Sequence, residues 1–193
     1  MYKVYYKRLS LGLIFLLISI RLQGIDILPD IIGYIIMAAA LAKLECQHKL
    51  FGRAKVCSFI LMPFSLLSLH KGSYNSVEFS LSSTSIIILA VSLLMWIVDL
   101  VMAYYIFQAI IYLAEEQRSI LAQSADFRCK VYIFVNGLYM FFMPFLFNIR
   151  EYMHWLSILF IIPVFVLELL FIGIINGFGN EQIENAGFDS VNY

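Results

Sequence analysis

Residues 86–113 read IIILAVSLLMWIVDLVMAYYIFQAIIYL, an apolar run interrupted by a single charge, Asp99. A helix rises ~1.5 Å per residue and needs ~20 apolar residues to cross ~30 Å of hydrocarbon, so this stretch is more than long enough to span a bilayer. The rest of the chain has the same character. Of its 193 residues 62% are hydrophobic and only 13% charged, with a mean hydropathy of +0.88. Soluble domains run at about half apolar and a quarter charged. The composition therefore reads as an integral membrane protein. Thirteen basic and thirteen acidic side chains cancel, and a chain without net charge offers no global field for nucleic acid or an acidic substrate.

Outward from this run, five more apolar windows appear. The candidate spans lie near Leu9–Leu22, Pro29–Leu44, Val56–Leu69, Ile86–Leu113, Val131–Ile149 and Trp155–Gly177. The expected fold is all-α and polytopic, with six transmembrane helices in a bundle over residues 1–178 and a short acidic tail over 179–193. The first and third windows are short. Cys57–Leu69 contains Pro63 and reaches only ~20 Å as helix, so the third span either borrows flanking residues, with Arg53 and Lys55 snorkelling, or is broken and partly re-entrant. The N-terminal run has no small-x-small cleavage site after it, only RLQGID, and reads as an uncleaved first span.

Basic residues set the orientation. Ten of the thirteen, Lys3, Lys7, Arg8, Lys43, Lys49, Arg53, Lys55, Arg118, Arg128 and Lys130, fall on one side of a six-span layout, and Arg21, Lys71 and Arg150 on the other. Both termini are therefore expected in the cytoplasm. Cys46, Cys57 and Cys129 fall at the same face, where thiols stay reduced, and no disulfide framework is expected.

GIDILPDIIGY, residues 24–34, is then the outer turn between spans one and two. Pro29 suits a first helical turn, and Asp30 lies by the positive end of the helix dipole. Arg21, inside the outer part of span one, either snorkels or pairs with Asp26 or Asp30. The residues Leu28, Pro29, Asp30, Gly33 and Tyr34 form an LPD-x-x-GY turn. In this the chain resembles uncharacterised small multi-pass membrane proteins of Gram-positive bacteria. That resemblance implies the bacterial cytoplasmic membrane and brings no activity with it.

Asp99 and Glu168 sit in the middle of spans four and six, and Asn136 in span five. A carboxylate at the bilayer centre costs ~2.5–3.5 kcal/mol on insertion scales, so such groups usually face a partner or a cavity. Counted from the expected outer ends, all three lie the same number of residues deep, ~20 Å. They are expected to converge. Neither acid has Lys or Arg at its depth, so the pair would share a proton, bind a cation, or hydrogen-bond to local hydroxyls and serve packing only.

Other features are weaker. FGRAKVCSFI (51–60) echoes DFRCKVYIFV (126–135), each followed by MPF, and a looser pairing of Pro29 onward with Val98 onward aligns Asp30 with Asp99. Two helical hairpins of one origin or chance both account for this. Pro29, Pro63, Pro144 and Pro163 all fall in outer halves of spans, where they either splay the helices into a vestibule or reflect the frequency of proline in such helices. Gly173 and Gly177 form a G-x-x-x-G pair for close helix packing, within the chain or in a dimer. Cys46, His48 and Cys57 match no common zinc spacing, and neither metal nor cofactor is expected. No metalloprotease, phosphate-loop, dinucleotide or nucleophile-elbow motif is present in the sequence. His154 with Glu151 is the remaining pair that could serve acid–base chemistry at the outer face.

Three functions fit these residues. The first is a non-enzymatic membrane protein acting by contact or ligand binding in the bilayer, of a regulatory, accessory or immunity type, with a membrane-protein partner or a second copy of itself. The second is a small ion-coupled transporter using Asp99 and Glu168. The third is an intramembrane enzyme acting on lipid.

Overall fold

The computed structural model describes the backbone of residues 2–21, 30–69, 83–146 and 153–189, and the side chains of 2–17, 30–65, 90–142 and 162–182. Among them every regular element is a helix: α1 (Lys3–Arg21), α2 (Asp30–Leu44), α3 (Lys49–Leu69), α4 (Ser83–Glu116), α5 (Leu121–Leu146) and α6 (Met153–Asp189). Each helix packs on the next, and α6 returns to pack on α1. The result is a ring closed in chain order, which is what short connections between antiparallel neighbours favour.

Two of those connections are tight turns with their hydrogen bonds accounted for. Between α2 and α3 the Gln47 and His48 N–H groups both donate to the Leu44 carbonyl, and the His48 Nδ1 accepts from the Leu50 N–H at 3.3 Å, capping α3. Between α4 and α5 the Ser119 N–H reaches the Ala114 carbonyl at 2.8 Å and the Arg118 N–H the Glu115 carbonyl at 3.0 Å. This is a Schellman ending, and it places Arg118 in the left-handed region at φ 53°. Ser119 then caps α5 by accepting from the Leu121 N–H at 3.0 Å.

The ends that carry these turns lie together. Tyr6 of α1 is fully buried against the edges of Phe51 and Phe178 and donates to Gln47 Oε1 at 2.6 Å. Burial pushes its phenol well above the ordinary tyrosine range, so it acts as a neutral donor. The His48 ring lies tilted against Tyr112 at 4.6 Å, and Ser119 donates to Glu181 of α6 at 2.6 Å. The start of α1, both turns and the later part of α6 thus share one end of the ring, and with them the ten basic residues. Lys55 pairs with Glu45, Lys130 with Asp126, and the Arg53 guanidinium lies over the Tyr105 ring at 5.8 Å.

Helix lengths add to the sequence reading in two places. α3 is continuous for 21 residues from Lys49 and keeps Pro63 inside it, so it borrows its basic flank and is not broken. Among the described residues the shortest helix is α2, at 15 residues. α6 continues beyond residue 178 to Asp189 with Gly179 buried beneath Tyr6, so residues 179–189 extend the last helix. Two segments, Ala90–Glu116 and Ile162–Gln182, are long and apolar enough to cross a membrane.

Close helix contact is made through other glycines than Gly173 and Gly177. A Cβ on Gly12 would meet Met37 at 2.4 Å and the Gly33 carbonyl at 2.9 Å, and one on Gly33 would meet Leu16 at 2.9 Å. α1 and α2 therefore touch almost backbone to backbone. Among the described residues a Cβ on Gly173 meets nothing within 4 Å and one on Gly177 only Leu121 at 3.7 Å, so that pair makes no close approach there.

The outer surface is apolar as well as the core, which encloses a few polar side chains. Ser58 and Asn136 are buried, while Ile35 (50% exposed), Phe59 (54%) and Phe134 (69%) point outward from α2, α3 and α5. Leu11, Leu94 and Val166 do the same on α1, α4 and α6.

Candidate functional site

Inside the ring lies a cavity of about 280 Å³ walled by α1, α2, α4, α5 and α6. Its polar lining is Asp30 and Tyr34 from α2, Asp99 from α4, Tyr132 and Asn136 from α5, and Glu168 from α6, with Trp96 beside them. The three residues expected to converge do line one space, each brought there by a different helix.

Each side chain is placed by the helix around it. On α4, Asp99 shares the inward face with Met95, Trp96, Met102 and Ala103, at the three- and four-residue spacing of one helical stripe. On α5, Tyr132 and Asn136 are four apart, and the Asn136 amide donates to the Tyr132 carbonyl at 2.9 Å, fixing its orientation. The Tyr132 hydroxyl donates to Glu168 Oε1, joining α5 to α6 across the cavity wall. Asp99 interacts electrostatically with both Glu168 and Asp30.

Toward the basic end the cavity is closed by aromatic rings. Phe107 stacks on Phe171 at 4.3 Å, with Tyr132 at 5.7 Å from the first and 5.6 Å from the second. Phe107 and Phe171 are essentially inaccessible. Toward the other end the lining runs through Asp30, Trp96, Met140 and Val164, with Trp96 held by Tyr139 at 4.8 Å.

Three carboxyl groups, an amide and two phenols around one small space can take a proton or a small cation. No Lys or Arg is among the described residues lining it. Among the described residues no three His, Cys, Asp or Glu side chains are grouped as metal ligands, and His48 is occupied as a helix cap and ring partner.

Sequence reasoning missed part of this wall. Asp30 was read as a turn residue, and the structure makes it a wall residue. The looser echo that aligned Asp30 with Asp99 is the one signal that could have shown it, because both acids face the cavity. The other echo, 51–60 with 126–135, pairs Ala54 with Cys129 and Cys57 with Tyr132, all buried, and Phe59 with Phe134, both exposed. Tyr34 closes the LPD-x-x-GY turn and Tyr132 lies in the 126–135 echo, but neither pattern marks a cavity wall. The pairing of Arg21 with Asp26 or Asp30 involves Asp26 and an Arg21 side chain that lie outside the described residues, as do the side chains of Glu151, His154 and Pro144.

No known protein family, curated protein or solved structure matches this chain.

Proposed function

We propose that the protein is a six-span membrane protein of the bacterial cytoplasmic membrane, with both termini in the cytoplasm, acting as a small ion-coupled carrier. Its central cavity takes up a proton or small monovalent cation between Asp99 and Glu168. The observation that supports this is the meeting of Asp99 and Glu168, with Asp30 as a third acid, from separate helices in one cavity, inside a bundle whose outer surface is apolar. Acids that served helix packing alone would each be held by local hydroxyls. Here Glu168 has Tyr132, while Asp99 has no hydrogen-bond partner among the described residues and borders open space. Basic residues gathered at one end of the ring support the orientation.

An apolar carbodiimide, which reacts with protonated carboxyl groups in apolar surroundings, tests the reading. Dicyclohexylcarbodiimide should modify Asp99 or Glu168 of the purified protein, as read by peptide mass. Added sodium or a rise in pH should slow the reaction, and a water-soluble carbodiimide should leave both acids untouched. Reconstituted vesicles should show cation or proton flux that is lost in Asp99→Asn and Glu168→Gln. Two unreactive acids and unchanged flux in both variants would sink the carrier.

The contact reading is kept by one observation. Phe127, Phe134 and Phe141 recur every seven residues on α5 and are all exposed, a stripe suited to a neighbouring helix. On this second reading the protein co-purifies with a membrane partner or with itself, and Asp99→Asn leaves that association intact.

A further inference from the structure

A second recess lies on the opposite side of α1 from α2, where α6 closes the ring. α1 and α6 come close at Tyr6 and Gly179, where a Cβ on the glycine would stand 2.8 Å from the tyrosine Cβ. Beside that contact the helices leave a groove of about 300 Å³, lined by Lys7, Ser10, Leu11 and Ile14 of α1 and by Asn176 and Asn180 of α6. Its chemistry divides along the helix axis. Lys7, Asn180, Asn176 and Ser10 supply an ammonium, two amides and a hydroxyl, while Leu11 and Ile14, one and two turns further along α1, are exposed and apolar.

The donors are unspent. The Ser10 hydroxyl is buried without a hydrogen-bond partner among the described residues, a state that ordinarily costs ~1–3 kcal/mol and calls for a ligand or water. Lys7 has no ion pair among the described residues, whose bridges are Lys55–Glu45 and Lys130–Asp126. No carboxylate is among the described residues lining the groove. Four donors, one charged, fit the oxygens of a phosphate diester, and the adjoining apolar rim fits an acyl chain.

We propose that this groove binds the phosphate of an anionic phospholipid from the cytoplasmic leaflet, with Lys7, Ser10, Asn176 and Asn180 on the headgroup and a chain along Leu11 and Ile14. The proposal rests on the membrane orientation given above and is independent of the central cavity. Lipid would thereby brace the seam between the first helix and the last.

The test is native mass spectrometry of the full chain in a neutral detergent, with dioctanoyl phosphatidylglycerol as the probe and dioctanoyl phosphatidylcholine and inorganic phosphate for comparison. Phosphatidylglycerol should bind more tightly than phosphatidylcholine and should resist displacement by inorganic phosphate. Lys7→Gln should weaken it roughly fivefold, the worth of one cation at a membrane surface. Asn180→Asp, at an exposed position, should weaken it as well, while Lys7→Arg and Lys3→Gln should bind as the parent does. Equal binding by the parent, Lys7→Gln and Asn180→Asp overturns the site, and displacement by inorganic phosphate overturns the lipid as its ligand. Failure here with Asp99 or Glu168 still reactive to carbodiimide removes this groove alone. Binding here with both acids unreactive removes the carrier alone.

Discussion

At the scale of single residues, the chain accepts one local strain where a better residue exists. Arg118 occupies the left-handed position that ends α4, where a Cβ costs roughly 1 kcal/mol and glycine is preferred. Its side chain is exposed, so little packing is lost by removing it. Arg118→Gly should therefore stabilise the protein by roughly 0.5–1 kcal/mol, seen as a higher melting temperature in detergent, and Arg118→Val should lower it. A fall with Arg118→Gly would mean that the arginine makes an interaction worth more than its backbone strain. Nothing in EEQRSI signals this role, because the usual marker of such an ending is a glycine and none is there. Asp30 was obscured for a different reason. A carboxylate at a helix start already has a sufficient local explanation in the helix dipole, so its second role in the cavity wall shows only in three dimensions.

Among elements, the α1–α2 pair shows which packing features sequence spacing can and cannot reveal. Gly12 and Gly33 lie on different helices, one each, and so form no motif, whereas GIING puts two glycines on one face and attracts notice. Close approach requires small residues opposite one another, and opposition is a property of two helices. Gly12→Ala should force Met37 and the Gly33 backbone apart and cost about 1–3 kcal/mol. Gly173→Ala meets open space and should stay within about 0.5 kcal/mol of the parent in the same thermal assay. Equal effects would mean that the α1–α2 approach relaxes without cost or that Gly173 packs in a dimer. Six helices were legible because apolar windows are long and their basic flanks sharp. The start of α3 was not, since Arg53 over Tyr105 and Lys55 on Glu45 make charged residues acceptable within a helix that hydropathy begins only at Val56.

Over the whole molecule, the inward convergence of Asp99, Asn136 and Glu168 could be foreseen from depth alone, because each is costly in hydrocarbon and a closed ring gives all three the same refuge. What depth could not supply was the partner of each, such as Tyr132 for Glu168, since that depends on the rotation of α5 about its axis. The ring also makes the topology testable by parity. Three helices, α2, α3 and α4, separate residue 26 from residue 123, so if all three cross, these positions lie on opposite sides of the membrane. In a chain with Cys46, Cys57 and Cys129 replaced, Asp26→Cys should react with an impermeant thiol reagent added to intact cells, and Gln123→Cys, at an exposed position beside the basic turn, only after permeabilisation. The reverse pattern would invert the orientation drawn from the basic residues. Reaction of both before permeabilisation, or of neither, would put the two positions on one side. One of the three helices would then fail to cross, and α2, about 22 Å long at 15 residues, would be the first to suspect.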